Sequence, residues 1–169
     1  MSVREDIRAA QRQDQAARGA FEVWLTYSGL HAVWGYRFAH RLWGSGWRFP
    51  ARVVSQVTRF LTGIEIHPAA TIGRRLFIDH GMGVVIGETA VIGDDVLMYH
   101  GVTLGGKGGE SGRRHPTIGD RVILGAGCTV LGDVTIGADS VVAAAAVVLH
   151  SAPPNSLLTG IPAKRRPRD

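Results

Sequence analysis

Aliphatic residues recur at every sixth position along the second half of the chain. Three runs keep this spacing: Ile66, Ile72, Ile78 and Val84; Ile86, Ile92, Met98 and Leu104; and Ile118, Leu124, Val130, Ile136, Val142 and Val148. Glycine often follows the aliphatic residue, at Gly73, Gly87, Gly93, Gly105, Gly119, Gly125 and Gly137. Neither an α-helix nor a flat alternating strand has a six-residue period. A parallel β-helix does, because each hexapeptide forms a short strand and a turn, and three faces close one triangular coil.

This repeat predicts a prism with the aliphatic side chains stacked inside it. Glycine suits its turns because it permits a positive φ or a close approach of two backbones. The single cysteine, Cys128, stands four places after Leu124, in a slot that valine fills elsewhere in the repeat. We therefore expect it to be a buried packing residue and not a nucleophile.

Residues 1 to about 62 follow a helical period instead. Leu30, Val33 and Phe38 belong to an apolar stripe with three- and four-residue spacing. Gly44 is expected to end that helix, and Pro50 suits the first turn of the next one. The predicted organisation is thus a helical region at 1–62, a β-helix at 63–150 and a C-terminal cap with a basic tail at 151–169.

Composition narrows the class of protein. The chain has 169 residues, enough for one domain, and its one cysteine excludes an internal disulfide and a cysteine-rich metal site. No apolar stretch reaches the ~20 residues of a membrane span, and the N-terminus lacks the core of a signal peptide, so we expect a cytoplasmic protein. The net charge of +5 comes partly from Lys164, Arg165, Arg166 and Arg168. This tail is either simply solvated or able to meet nucleic acid, an acidic surface or a phosphorylated ligand.

The repeat breaks between Leu104 and Ile118, where residues 105–116 read GGKGGESGRRHP. A basic, glycine-rich loop is expected to leave the prism there, and loops on rigid scaffolds often carry function. Seven polar residues of the repeat region or its loop are candidates for chemistry: Glu65, His67, Asp79, His80, His100, Arg114 and His115.

Glu65 and His80 are fifteen residues apart, close to one coil of about eighteen, so a carboxylate could orient an imidazole that acts as a base. Spacing alone leaves open that these side chains are only solvated. Zinc is a further alternative, because trimers of this architecture hold a metal between subunits in the γ-class carbonic anhydrases. The closely spaced histidine pair of those enzymes is missing here, so we expect no metal.

Several segments together resemble the bacterial serine acetyltransferases. They are EIHPAATIG at 65–73, IDHGMGVVIGETAVIGDDV at 78–96, VTLGGKGG at 102–109, RHPTIGDRV at 114–122, LGAGC at 124–128 and GIPAK at 160–164. The helical segments DQAA at 14–17 and YSGLHAVWGYRFAHRLW at 27–43 resemble the end of that family's helical domain, so the likeness covers nearly the whole chain.

The resemblance implies a left-handed β-helix and a homotrimer, with pairing of two trimers left open. It implies transfer of acetyl from acetyl-CoA to L-serine, the first step of cysteine biosynthesis, directly in a ternary complex and without a metal. His80 would be the general base and Glu65 its orienting carboxylate, in a position where many relatives have Asp. Four further residues would bind serine, its carboxylate at Arg114 and His115 and its ammonium group at Asp14 and Asp79.

The same likeness implies where coenzyme A lies, outside the prism and between two subunits. Its pantetheine arm would meet backbone near Gly106, Ala126 and Ala144, and Lys107 and Lys164 would meet its phosphates. The stretch Ala143 to Ala146 replaces a glycine-containing repeat of the family, which would narrow that groove.

Partners and rival functions follow from the same comparison. The chain ends Arg-Pro-Arg-Asp, without the isoleucine-terminated tail of longer relatives, so we expect no stable complex with cysteine synthase. No nucleic acid or membrane partner is expected either. The rival functions are acetylation of homoserine or a sugar, a zinc hydratase, and a non-catalytic β-helix scaffold.

Overall fold

The computed structural model describes residues 2–108 and 112–166, and within them four helices precede fifteen short strands. The helices are α1 Val3–Gln13, α2 Ala20–Thr26, α3 Ser28–Gly44 and α4 Arg48–Thr62. The strands are β1 Glu65–Ile66, β2 Thr71–Ile72, β3 Phe77–Ile78, β4 Val85–Ile86, β5 Val91–Ile92, β6 Leu97–Met98, β7 Thr103–Gly105, β8 Thr117–Ile118, β9 Ile123–Leu124, β10 Thr129–Leu131, β11 Thr135–Ile136, β12 Val141–Val142, β13 Val147–Val148, β14 Leu157–Gly160 and β15 Ala163–Arg166. Arg168 of the expected basic tail and loop residues 109–111 lie outside the described residues.

The strands form the three faces of a prism. Sheet A has the order β1-β4-β7-β10-β13, sheet B β2-β5-β8-β11 and sheet C β3-β6-β9-β12-β14-β15. All pairs are parallel except the β14–β15 hairpin. We call the turns that lead from sheet C to sheet A the C–A edge (79–84, 99–102, 125–128 and 143–146). Those that lead from sheet A to sheet B form the A–B edge (67–70, 87–90, the described part of 106–116, and 132–134). This is the parallel β-helix that the six-residue period predicts.

The interior of the prism is the predicted aliphatic stack. Every residue of the three phased runs is buried, from Ile72 at 7% exposure to Leu124 at 0%. Cys128 is also fully buried, and burial raises the pKa of its thiol to about 12, which confirms a packing role. The repeated glycines serve close approach and not a positive φ: a Cβ at Gly125 would stand 2.6 Å from the backbone nitrogen of Ala144 in the next coil.

Besides the coil that carries the glycine-rich loop, one further coil is longer than the regular ones. Glu65 is in register with Val85, twenty residues later, whereas Val85 is in register with Thr103, eighteen residues later. The two extra residues lie in the turn 79–84, which contains His80. The prism also continues beyond residue 150, since β14 pairs in parallel with β12 in a segment that the sequence assigns to a cap.

The helices cover the outer face of sheet C and the start of the prism. Ile7, Val23 and Leu30 pack against Phe77 of β3. Gly29 brings α3 directly onto that strand, because a Cβ there would stand 2.1 Å from the carbonyl oxygen of Ile78. None of the helices in the described chain is both long and apolar enough to cross a membrane.

A buried ion pair fastens α1 to α3. Asp6 is 2% exposed and accepts hydrogen bonds from the Arg37 guanidinium at 2.5 and 2.8 Å and from the Trp34 indole at 2.9 Å. Such a pair gives α1 a fixed position relative to α3.

Removing one member of this pair should destabilise the helical region strongly. We expect Asp6→Ala to lower the free energy of unfolding by about 3–5 kcal/mol, because Arg37 keeps its charge without a partner. The urea midpoint, measured at one protein concentration, tests this. The double variant Asp6→Leu/Arg37→Leu removes both charges and should recover most of the loss. An unchanged midpoint in Asp6→Ala would contradict the assignment.

Candidate active site

His80 stands in the enlarged turn at the C–A edge. Its side chain is 73% exposed, and Nε2 lies 3.6 Å from Oδ2 of Asp79. Its φ is +60°, a value shared by the other turns of the prism, as at Asp95 and Arg121, so the backbone conformation belongs to the repeat. An accessible imidazole beside a carboxylate can accept a proton and have the resulting charge stabilised.

Asp14 and Asp79 reach the same place from different elements. With His80, Tyr27 and Ser28 they line a cavity of about 280 Å³ between the helices and the C–A edge. The Tyr27 hydroxyl donates a short hydrogen bond to Oδ2 of Asp14, which lowers the pKa of that carboxyl. The cavity therefore presents two carboxylates and one imidazole.

Glu65 lies near this edge and makes a different contact. Its Oε2 is 3.3 Å from Nε of Arg59, and in the part of the chain that the structure describes no hydrogen bond or ion pair joins it to His80. The carboxylate in contact with the imidazole is Asp79. The expected pairing depends on a regular coil, and the two residues inserted at the His80 turn change that geometry.

A column of equivalent turn positions runs along the C–A edge from His80. His100 holds the same place one coil later, its ring edge-on to that of His80 with centroids 5.8 Å apart. Ala126 and Ala144 hold the next two places, by the register of β6, β9 and β12. Lys164, paired with Thr159 in the terminal hairpin, lies at the far end of the column. Three of the residues predicted to bind coenzyme A, Ala126, Ala144 and Lys164, thus lie on the same edge as His80.

Arg114 lies at the A–B edge, away from His80. Its guanidinium forms a short ion pair with Glu88, which lowers the pKa of that carboxyl, and its backbone N–H donates to Oγ1 of Thr89 at 3.0 Å. Both partners come from the GETA segment one coil below. They hold the end of the glycine-rich loop against the prism.

His115 is fixed by the same segment. Its Nδ1 accepts from the Thr89 backbone N–H at 3.2 Å and lies 2.9 Å from the Thr89 hydroxyl, so the neutral ring carries its proton on Nε2. Burial, and secondarily the Arg114 charge, lowers the pKa of His115. The ring lies on Gly87, where a Cβ would come within 2.1 Å of Nε2. His115 is therefore a neutral hydrogen-bond donor at pH 7.

Gly106 and Lys107 also belong to the A–B edge. Three basic side chains, Lys107, Arg113 and Arg114, line a groove of about 370 Å³ together with Asp133, Leu131 and Leu149. Arg113 is held there by Asp133, at 3.1 Å. This groove could accept an anionic group such as a phosphate.

The candidate residues thus form two groups on different edges. Asp14, Asp79 and His80 meet at the C–A edge with Ala126, Ala144 and Lys164; Arg114, His115, Gly106 and Lys107 meet at the A–B edge. Among the described residues, no hydrogen bond or ion pair links the two groups. Nor do three or more His, Cys, Asp or Glu side chains converge as metal ligands anywhere in 2–108 or 112–166.

Sequence reasoning missed three residues of these groups, Tyr27, Glu88 and Thr89. Glu88 and Thr89 belong to the GETA segment at 87–90, and the resemblance implies no role for either side chain. Their signal was the polar pair that follows Gly87, where the coil before it has Pro68 and Ala69. Tyr27 gave no signal, because only the fold brings it to Asp14.

Comparison with known proteins first gives the class. Residues 115–150 match the family model described as bacterial transferase hexapeptide, six repeats. Together with the parallel prism, this makes the chain a left-handed β-helix protein of the hexapeptide-repeat transferases, preceded by four helices.

Similar proteins narrow the class further. The chain is 58% identical over 161 residues to serine acetyltransferase of Mycobacterium tuberculosis, covering 95% of this chain and 70% of the relative, and 57% identical over 162 residues to that of Bacillus subtilis, covering 96% and 75%. The chain belongs to the serine acetyltransferase family, whose members are acyltransferase enzymes.

Solved structures agree with this assignment. The serine acetyltransferase of Neisseria gonorrhoeae in complex with serine matches at a TM-score of 0.94 and 39% identity, over 97% of this chain and 67% of that one. The enzyme of Brucella abortus in complex with coenzyme A matches at 0.94 and 42% identity, over 96% and 65%. The chain spans about two thirds of the length of these structures.

Proposed function

We propose that this chain transfers the acetyl group of acetyl-CoA to the hydroxyl of L-serine, giving O-acetyl-L-serine and coenzyme A in the first step of cysteine biosynthesis. Family membership supports the reaction class. The observation that carries the proposal for this chain is the cavity in which the exposed imidazole of His80 faces the carboxylates of Asp14 and Asp79. The cellular site of this activity is proposed to be the cytoplasm.

His80 acts as the general base. It takes the proton from the serine hydroxyl as that oxygen attacks the thioester carbonyl, and Asp79 stabilises the imidazolium from 3.6 Å. When the tetrahedral intermediate collapses, the imidazolium returns the proton to the departing thiolate. Transfer is direct, and the buried thiol of Cys128 takes no part.

Glu65 keeps the proposed orienting role at the same edge. The backbone around it pairs with the His80 turn, since Gly83 N–H donates to Gly63 O and Glu65 N–H to Val84 O, each at 2.9 Å. In this role the carboxylate exchanges Arg59 for His80. The exchange costs little, because an ion pair with an arginine as exposed as Arg59 contributes about 1 kcal/mol or less.

Serine is recognised by charges at its two ends. Asp14 and Asp79 bind its ammonium group, and the fork of Arg114 with the Nε2–H of His115 binds its carboxylate. Acetyl-CoA lies along the column beyond His80, where Ala126 and Ala144 leave the backbone accessible and Lys164 ends the path. Gly106 and Lys107 supply the other wall of that path.

These roles require the two edges to come from different subunits. A ring of three identical chains joins unlike surfaces of neighbours, which allows the C–A edge of one subunit to meet the A–B edge of the next. Large apolar side chains beside the C–A edge support such a contact, with Phe60 at 88% and Met82 at 68% exposure. We propose a homotrimer with one site at each of its three seams.

A substrate panel tests the proposed function. Thiol release from acetyl-CoA is measured with purified protein and L-serine, L-homoserine, L-threonine or a galactoside as acceptor. We expect L-serine to give the highest kcat/KM. Preference for homoserine or for the sugar would reassign the acceptor, and no release with any of them would contradict the proposed reaction.

A further inference from the structure

The cavity at the C–A edge contains a tyrosine that the proposed reaction does not use. Tyr27 is the C-cap residue of α2 and the N-cap residue of α3. Its backbone N–H donates to Val23 O at 3.2 Å. Its ring stacks on Phe77 of sheet C, with centroids 6.3 Å apart. Two helices and one strand therefore fix the position of its hydroxyl.

That hydroxyl completes the anchoring of Asp14. One carboxylate oxygen of Asp14 accepts the Ala16 backbone N–H at 2.7 Å, and the other accepts the Tyr27 hydroxyl. A carboxylate has about four acceptor sites, so each oxygen keeps one for a ligand. Without Tyr27, Asp14 would be held only by residues of its own segment, which begins where α1 ends.

The electrostatics agree with this geometry. The hydrogen bond from Tyr27 is the main reason that the pKa of Asp14 is lowered, so the carboxyl stays ionised in the neutral pH range. Burial, then the bond to Asp14, raises the pKa of Tyr27 to about 12. The hydroxyl therefore remains a donor throughout that range.

We infer that Tyr27 is a positioning residue that makes the enzyme selective for acceptors with an amino group, by aiming the Asp14 carboxylate at that group. The inference rests on the proposed function and deepens it. Tyr27 acts on the substrate only by positioning Asp14, and it takes no part in proton transfer from the serine hydroxyl.

The test is Tyr27→Phe, which keeps the ring on Phe77. We expect KM for L-serine to rise about tenfold, as for loss of a hydrogen bond to a charged group, with kcat changed less than about threefold. The compound 3-hydroxypropanoate is serine without its amino group. Its inhibition constant, measured in competition with serine, should be the same for Tyr27→Phe as for the wild type. In an Asp14→Asn background, Tyr27→Phe should have no further effect on KM.

Tyr36→Phe is the matched control, because it removes a hydroxyl bonded to Ala70 O at 2.6 Å outside the cavity, and its KM for serine should not change. An unchanged KM for serine in Tyr27→Phe overturns the inference and leaves the proposed function intact. So does a rise in the inhibition constant of 3-hydroxypropanoate as large as the rise in KM for serine. If the wild-type protein acetylates no serine in the same assay, the proposed function is overturned, and the inference with it.

Discussion

Replacing His80 by alanine is expected to lower kcat for serine acetylation by about 10²–10⁴-fold, the contribution of a positioned general base. The side chain is mostly exposed and fills no part of the core, so the variant should fold and assemble like the wild type. Alanine also accepts the backbone conformation, since Ala145 has a φ of 57° in a turn of the same edge. Steady-state kinetics with gel filtration on the same sample measures both expectations.

His100→Ala is the matched control for this variant. It removes an exposed imidazole from the same column of turns, with centroids 5.8 Å from His80. We expect a much smaller loss of kcat. Near-normal turnover in His80→Ala would move the role of base to His100 or His115.

Mixing two inactive variants is expected to restore activity if each site is shared between subunits. His80→Ala damages the C–A edge and Arg114→Ala the A–B edge, so each variant alone should be nearly inactive. In trimers assembled at random from equal amounts, a seam is intact when an undamaged C–A edge meets an undamaged A–B edge. This holds for about a quarter of the seams, so we expect about a quarter of wild-type activity.

The design of the mixing experiment excludes trivial recovery. The two chains carry different tags and are produced together in one cell, so that mixed trimers form during folding. Asp79→Ala with His80→Ala is the control pair, because both changes lie on one edge and no seam of a mixed trimer has both residues. Activity no higher than that of the separate variants would mean that one chain supplies the whole site.

The sequence predicted the fold well because its signal is local and repeated. The six-residue period identified the buried side chains of all three sheets, including the slot of Cys128, and Gly44 ends α3 as expected. The interruption after Leu104 placed the loop correctly between β7 and β8. Each of these inferences needed only neighbouring residues and their spacing.

The sequence predicted the candidate site less well, because its geometry depends on exceptions to the repeat. A period of six assigns a residue to a face or a turn, but the three edges of the prism have the same pattern. Spacing therefore could not separate the edge of His80 from that of Arg114. The two extra residues in the His80 turn likewise depart from the regular spacing, so the pairing of Glu65 with the imidazole stays a prediction.

The attachment of α1 has a consequence for the temperature range of the enzyme. Asp14 follows directly after α1, and that helix is held by Asp6, by the ion pairs of Glu5 with Arg74 and Arg75, and by the packing of Ile7 and Ala10 on sheet C. A single helix at the periphery can detach at a lower free-energy cost than the interlocked coils. On warming, detachment of α1 would displace Asp14, which binds the amino group of the acceptor, while the β-helix stays folded. The highest temperature at which the enzyme turns over would then be set by the detachment of this one short helix.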